Sequence, residues 1–480
     1  MRFSLRTRLG LALSFVAVSA LCLSLLISTH YGAHAAPSAT TIKLSANSAP
    51  PTTALTVTGK SFGASESVNV DFDKTLVGTT TTDGTGAFTV SVKVPKSALP
   101  GSHTFTAVGQ TSKLSASASF TVQTQWTTFG FDQHRTHFNP YENVITHSNV
   151  SALVLDWSFP GGAAISSSPV VNSGVVYIGS ASGTLYALNA TTGAMLWSAP
   201  TGGAITSTPT FDSGMIFVGS ADGNLYAFNK SGTQVWKFPT KGAITASPLA
   251  AGGVIYVGSN DGDLYAISES TGAEVSTWSA PFATSGPINS SATISTGVIY
   301  VGSNDGNLYA INASNGTAYW TAPFTTGGPI TSSPVVFNNA VYVGSEDGNL
   351  YSVNATTGTM NWKHAVGAAI DSSPAIDTST NVVYVGASDN KVHAFKIGKG
   401  AGLWTYATGN VVTSSPSVAN TVLYVGSNDG KLYALKASLG TLLWSYTTGA
   451  AVSSSPAVAN GVVYVGSNDG KLYAFDLPAA

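Results

Sequence analysis

VVYVGSNDGKLYAFD, residues 462–476, repeats almost letter for letter the stretch VLYVGSNDGKLYALK at residues 422–436. Self-similarity at a fixed spacing decides the architecture before any local reading does. The shared unit is V-Y-V-G-S-x-D-G-x-L-Y-A, and its glycine falls at Gly179, Gly219, Gly258, Gly302, Gly344, Gly386, Gly426 and Gly466. The steps run from about 39 to 44 residues, the range of four-stranded propeller blades. Val176-Tyr177-Ile178 reads as a buried strand, Asp-Gly supplies the positive φ of a tight turn, and Leu-Tyr-Ala is the returning strand. A tryptophan closes each unit, at Trp197, Trp236, Trp278, Trp320, Trp362, Trp404 and Trp444, and Trp157 precedes the first.

The chain thus holds eight Gly-Ser strands (one written Gly386-Ala387) and eight tryptophan strands. The last unit stops at Phe475-Asp476-Leu477 without a tryptophan strand, and LVLDWSFP at residues 153–160 has no hairpin before it. The two ends together complete one blade. A single blade cannot bury both faces, whereas a ring of blades leaves only short edges. The expectation is an all-β chain whose residues 153–480 form an eight-bladed β-propeller.

Upstream, residues 38–123 alternate apolar and polar positions with period two, in TALTVTGKSF, ESVNVDFDKTLVGTTTT, GAFTVSVKVP, GSHTFTAVG and LSASASFTVQ. Breaks at Thr82-Asp83-Gly84 and Pro100-Gly101 separate them. Such strands fit a small two-sheet sandwich. The GKSFGASESVNVDF and DGTGAFTVSVKVP patterns resemble bacterial Ig-like modules, which implies a spacer or adhesion element. Residues 124–152 break the alternation with Trp126, Phe129, Phe131, Phe138 and Tyr141 beside His134, Arg135, His137 and His147. The histidines invite a metal reading, but neither cysteines nor paired carboxylates accompany them. This stretch reads as an aromatic connector packed on the next domain, with no metal.

Residues 1–36 read as an export signal or an uncleaved membrane anchor. Arg2, Arg6 and Arg8 precede an apolar run from Leu9 to Ile27, and Ala33-His34-Ala35 offers a cleavage site. The run approaches the ~20 residues that span a bilayer, so both readings stay open. Any membrane contact is then confined to residues 9–27, and the rest is exported, extracellular or on the cell surface. Charged residues make up only 9% of the chain and the net charge is −2, which gives no footprint for nucleic acid. The single cysteine, Cys22, excludes an internal disulfide.

The run A-L-N-A-T-T-G-A-M-L-W at 187–197, with relatives at 227–236, 310–320, 352–362 and 434–444, resembles the tryptophan-docking motif of the pyrroloquinoline-quinone (PQQ) propeller repeat family. The stretch from Trp126 to Trp157 also resembles the opening of quinoprotein dehydrogenases. The resemblance implies that Trp157, Trp197, Trp236, Trp278, Trp320, Trp362, Trp404 and Trp444 wedge between blades. In quinoprotein dehydrogenases it further implies PQQ on the ring axis, held by adjacent cysteines, a tryptophan, an arginine, and Glu, Asn and Asp around Ca2+. Beyond the connector this chain has no cysteine, no arginine and no tryptophan outside docking positions. No catalytic residue is assigned, and PQQ with Ca2+ stays as the alternative.

The strand before each Gly-Ser hairpin reads I-S/T-S-S-P, and in propellers this strand lies nearest the central channel. The residue after the Ile or Val is Ser166, Thr206, Thr245, Asn289, Thr331, Asp371, Thr413 or Ser453. Together they would ring one channel mouth, with Asp371 their only charge. One reading is a polar pocket for a small ligand or cation; the preferred one is hydrogen bonding to backbone at strand ends. The Asp-Gly turns are read as turn chemistry rather than as calcium loops. The functional expectation is an exported, non-catalytic, monomeric scaffold binding an envelope or extracellular protein, a glycan or a small ligand. The alternative is a PQQ-dependent oxidoreductase with a reduced site.

Overall fold

Each repeat becomes a four-stranded antiparallel meander because its two central strands are apolar on both faces and its turns carry Asp-Gly. In the first blade the strands are Val170–Asn172, Val175–Gly179, Thr184–Asn189 and Met195–Pro200, from the axis outward. The computed structural model describes residues 38–478. Among them eight such sheets follow one another. The eighth takes its three inner strands from Ala457–Ala459, Val462–Gly466 and Lys471–Asp476. Its outer strand is Val154–Pro160, paired from Val154 opposite Asp476 to Pro160 opposite Lys471.

A closed circle of hydrogen bonds ties the eight inner strands together. The Ser168 N–H donates to Thr208 Oγ1 at 3.4 Å, Thr208 to Ser247 at 2.9 Å, Ser247 to Ser291 at 2.8 Å, and Ser291 to Ser333 at 2.9 Å. Ser333 donates to Ser373 at 3.0 Å, Ser373 to Ser415 at 2.9 Å, Ser415 to Ser455 at 3.0 Å, and Ser455 back to Ser168 at 2.9 Å. The preceding serine of the motif serves its own blade: Ser207 Oγ, for example, accepts from the Gly219 N–H at 3.0 Å. The S-S pair therefore satisfies backbone donors at the crowded axis, where an unpaired N–H would be costly.

At the outer end, each of the eight indoles donates its N–H to a carbonyl of the next blade. The acceptors run from Ala190 for Trp157 to Leu153 for Trp444. At four joints the same carbonyl also accepts a tyrosine hydroxyl: Tyr300 and Trp320 both bond Ala355 O, at 2.9 and 3.0 Å. Tyr256, Tyr384 and Tyr464 do likewise at Ala313, Ala437 and Ala190. A glycine lies beneath most of the rings; at Gly358, with φ 71°, a Cβ would stand 2.8 Å from the Trp320 ring. In the third and fourth blades the reading of a tryptophan strand is corrected. The outer strands there shrink to Phe282–Ala283 and Phe324–Thr325, and Trp278 and Trp320 sit in the turns ahead of them. Both rings are nevertheless only 7% and 5% exposed.

Tyr424 departs from this scheme. It is fully buried, and its hydroxyl has no hydrogen-bond partner. Burial pushes the phenol well above its usual 10.0, with Glu142 adding to the effect. The second blade already carries Phe217 at the equivalent place. Tyr424→Phe is expected to hold or raise stability by up to about 1 kcal/mol, because it removes an unsatisfied hydroxyl. Tyr300→Phe, which removes a bonded one, is expected to cost about 1 kcal/mol. Chemical denaturation of the two variants side by side checks the contrast.

Residues 126–139 close the other end of the ring. In chain order they touch the inner strand of each blade in turn. Trp126 exchanges two backbone bonds with Val171, and Thr127 O accepts from the Phe211 N–H at 2.7 Å. Gln133 Nε2 reaches Ala250 O at 3.0 Å, and Gln133 O accepts from the Ile294 N–H at 3.1 Å. The carbonyls of His134, Thr136 and His137 accept from Val336, Ile376 and Val418, at 3.1, 2.8 and 2.8 Å. Phe138–Asn139 pairs in parallel with Ser417–Ala419, and Asn139 Nδ2 reaches Val458 O at 2.9 Å. The segment thus makes one turn around the axis, capping eight strand edges that would otherwise stand unpaired. Arg135 is wholly buried within it, bonding Ala292, Phe129 and Ser247 carbonyls and lying 5.4 Å from the Phe129 ring centroid. Burial presses its guanidinium down to about 9, although Asp132 works the other way.

Ahead of this segment, strands within residues 41–122 form a three-stranded and a five-stranded sheet around a shared apolar core that includes Val57, Val70, Phe105 and Phe120. Asn143 Nδ2 bonds Ala98 O at 2.8 Å, tying this unit to the connector. The export signal or anchor read over residues 1–36 lies outside the described residues. Among the described residues no helix is long and apolar enough to cross a membrane.

Candidate functional site at the channel mouth

With one end sealed, the axis opens only where the Asp-Gly turns lie. Three successive positions of I-S/T-S-S-P point three ways. The Ile or Val is buried against the glycine of the preceding blade; Ile205, for instance, fills the space beside Gly179. The two serines serve the backbone, as described above. The residue between them and the Ile is left for the mouth. Thr206 is exposed there, and Ser166, Thr245, Asn289, Thr331, Asp371, Thr413 and Ser453 are half-buried.

These residues meet their neighbours. Thr245 Oγ1 donates to Asn289 Oδ1 at 3.0 Å, and Thr331 Oγ1 to Asp371 Oδ1 at 3.2 Å. Thr413 and Ser453 donate to Asn428 and Asn468 at 3.2 and 3.3 Å. The expectation that they bond to strand-end backbone is corrected: these bonds run from side chain to side chain, because the adjacent serines already hold the backbone donors.

A second circle of residues lies against the first and was not singled out from the sequence. It consists of the residue after each Gly-Ser, whose N–H donates to the carbonyl one place before the buried Ile or Val. Asn304 donates to Pro287 O, Glu346 to Pro329 O and Ser388 to Ala369 O, each at 2.9 Å. This circle brings Glu346 close to Asp371, so Asp371 is not the only charge. Burial and then Asp371 raise the Glu346 carboxyl above its ordinary 4.5, with Thr331 pulling the other way. Asn304 Oδ1 is buried and accepts no hydrogen bond. The mouth is thus lopsided. Its fourth to sixth blades present Asn289, Asn304, Glu346 and Asp371, while the first two present Ser166, Ala181, Thr206 and Ala221. Aligning the repeats on Gly-Ser would have exposed Glu346 as the one acid in its column.

The raised Glu346 value has a signed consequence. A glutamate whose folded value exceeds its unfolded one is destabilising when ionised. Its contribution is best below pH 4.5 and declines as pH rises through the raised folded value. Carbon-13 NMR of the carboxyls is expected to show Glu346 titrating above 4.5 and moving back toward it in Asp371→Asn.

The turn aspartates are fully occupied, which bears out the turn reading in chemical terms. Asp347 Oδ1 accepts from the Asn349 N–H at 2.9 Å, and its Oδ2 takes the Tyr351 hydroxyl at 2.6 Å and the Gly327 N–H at 2.7 Å. Asp222, Asp429 and Asp469 repeat the arrangement. In the sixth blade His393 replaces the tyrosine, 3.1 Å from Asp389. Among the described residues no three His, Cys, Asp or Glu side chains gather as a metal site.

The residues at the mouth do not fit PQQ. Its carboxylates would face Asp371 and Glu346. Arg135, within the connector, is consumed by carbonyls at the other end. Every propeller indole is tied into a blade joint by its N–H. The oxygens of Asn289, Asn304, Glu346 and Asp371 would suit a hard cation, yet none of the sixteen residues of the two circles is aromatic and able to stack on a quinone.

Fold and site define a propeller of eight sheets with one open, polar mouth. The family described as outer membrane protein assembly factor BamB, a family of PQQ-like repeats, matches residues 123–290, 268–411 and 399–478, and the chain belongs to it. Among solved structures it is similar to a europium-containing methanol dehydrogenase, with a TM-score of 0.65 and 15% identity over 74% of this chain and 98% of that one. BamB from Moraxella catarrhalis is also similar, with a TM-score of 0.58 and 19% identity over 68% of this chain and 99% of that one. Quinohemoprotein alcohol dehydrogenase from Comamonas testosteroni gives 0.65 and 16%, over 74% of this chain and 81% of that one. At these identities the likeness is one of fold. No curated protein matches the chain.

Proposed function

We propose that this chain is an exported, monomeric binding propeller of the cell envelope, which offers its open mouth to a protein loop or glycan and performs no redox chemistry. One observation carries the reading: the mouth presents amides, hydroxyls and the Glu346–Asp371 pair, while Arg135 and the propeller indoles are engaged elsewhere. Membership in a family described by an outer-membrane assembly protein supports an envelope location and a protein partner. Residues 38–123 act in this reading as an Ig-like spacer ahead of the propeller, 153–480, and residues 1–36 as the export signal or anchor.

The second reading, a PQQ-dependent oxidoreductase, draws its support from the fold shared with the two dehydrogenases. One experiment separates them. The purified protein is mixed with PQQ and Ca2+ and examined for a bound-cofactor absorbance band and dye reduction. In parallel, partners are cross-linked and recovered from the native envelope with the wild type and with Glu346→Gln/Asp371→Asn. The proposal expects no band and a partner lost in the double variant; a band with dye reduction overturns it.

A further inference from the structure

At the blade ends opposite the mouth, a pocket of about 390 Å³ opens between the sixth and seventh blades. It lies where the turn of each third strand meets the turn of each inner strand, with His147 of the connector at its rim. Two features set this gap apart. The first is a pair of lysines, Lys396 and Lys436, at the last position of the third strand. Four other blades carry asparagine there: Asn189, Asn229, Asn312 and Asn354. Three of them cap the following turn through Oδ1, as when Asn189 Oδ1 accepts from the Thr191 and Thr192 N–H groups at 2.9 and 3.0 Å, and Asn312 holds its turn by donating from Nδ2 to Thr317. In the sixth and seventh blades that cap is given up. The turns rest on backbone bonds alone, from Gly400 to Lys396 O at 2.9 Å and from Gly440 to Lys436 O at 2.8 Å. Two adjacent blades thus forgo a local bond and place two ammonium groups on one cavity.

The second feature is that this charge is not fully offset among the described residues. Lys396 Nζ reaches only the Thr380 carbonyl, at 3.3 Å, and neither lysine forms an ion pair among the described residues. Asp377 also borders the pocket, its Oδ1 held by the Ser379 and Thr380 N–H groups at 2.9 and 3.2 Å, so two ammonium groups face one carboxylate and one positive charge is left over. The lining is also partly apolar, with Leu403 45% exposed and buried Val382 paired directly beside Lys396. Cations next to aliphatic side chains in one pocket match a pyranose ring that bears a carboxylate. Ser438 and Thr421, whose hydroxyl His147 Nδ1 meets at 3.2 Å, add neutral partners for ring hydroxyls.

We infer that this pocket binds a uronic acid, with the carboxylate between Lys396 and Lys436 and the ring against Leu403. The site is separate from the mouth and does not depend on the reading of it. The test is calorimetric titration of the full chain with sodium glucuronate, with glucose, and with a uronate trisaccharide. Glucuronate is expected to bind and glucose not. Lys396→Asn/Lys436→Asn installs the residue that four blades already carry, so its melting temperature is expected to stay put while glucuronate binding weakens at least tenfold. Asp371→Asn, at the mouth, is expected to leave it unchanged. A trisaccharide that binds as tightly as glucuronate or tighter makes a polymer the source; a weaker one makes it the free acid. Glucose binding equal to glucuronate, no glucuronate binding, or an affinity unchanged in the double lysine variant overturns the inference.

Discussion

Arg135→Met is expected to lower the melting temperature by roughly 3–5 °C, the equivalent of about 3 kcal/mol in a domain of this size. The guanidinium is fully buried and its donors go to carbonyls on different parts of the ring: Phe129 in the connector, Ser247 before the third blade and Ala292 before the fourth. Methionine fills much of the volume but donates nothing, so those oxygens are left without water and without a partner. The damage is not confined to one blade, because residues on both sides of Arg135 serve the fourth to seventh inner strands. Differential scanning calorimetry of the full chain checks the size of the effect. Lys at the same position retains one charge but not the fork of donors, and is expected to recover only part of the loss.

Trp320→Ala is expected to cost about 3–5 kcal/mol, the range for removing a large buried aromatic side chain. Its ring is 5% exposed, its N–H bonds Ala355 O at 3.0 Å, and Tyr300 packs 5.7 Å away, centroid to centroid. Losing it leaves a hole over Gly358, where no side chain is present to collapse inward. Trp197 makes the same bond, at 2.8 Å, but its ring is only half-buried. Trp197→Ala is therefore expected to cost markedly less. Denaturation midpoints of the two variants give the comparison, and equal losses would contradict it.

What could be read from the sequence was what repeats. The Gly-Ser hairpins and the tryptophans recur with every blade, so each occurrence reinforced the others, and the pairing of residues 153–160 with the last hairpin followed from counting. The connector offered no such redundancy. Its residues each bond a different blade, so Thr127, Gln133, His134, Thr136 and His137 share no chemistry, only the direction of a carbonyl. Their common role exists only once the ring has closed. The mouth was legible by half for a similar reason. Its first circle follows a fixed Ile or Val and is mostly Ser or Thr, whereas the second holds Ala, Asn, Glu and Ser in turn. Glu346 was invisible as a neighbour of Asp371 because the two lie in different blades, brought together by the ring and not by spacing.

The sealed axis is the claim on which the blind channel, the single mouth and the exclusion of Arg135 from it all rest. Hydrogen–deuterium exchange of the intact protein tests it most directly, at the amides of Phe211, Ile294, Val336, Ile376 and Val418, which donate to the connector. The account predicts that these five exchange as slowly as the amides of the central hairpins, such as those of Val176 and Val463. Exchange at the rate of exposed loops, with the hairpins still protected, would contradict it.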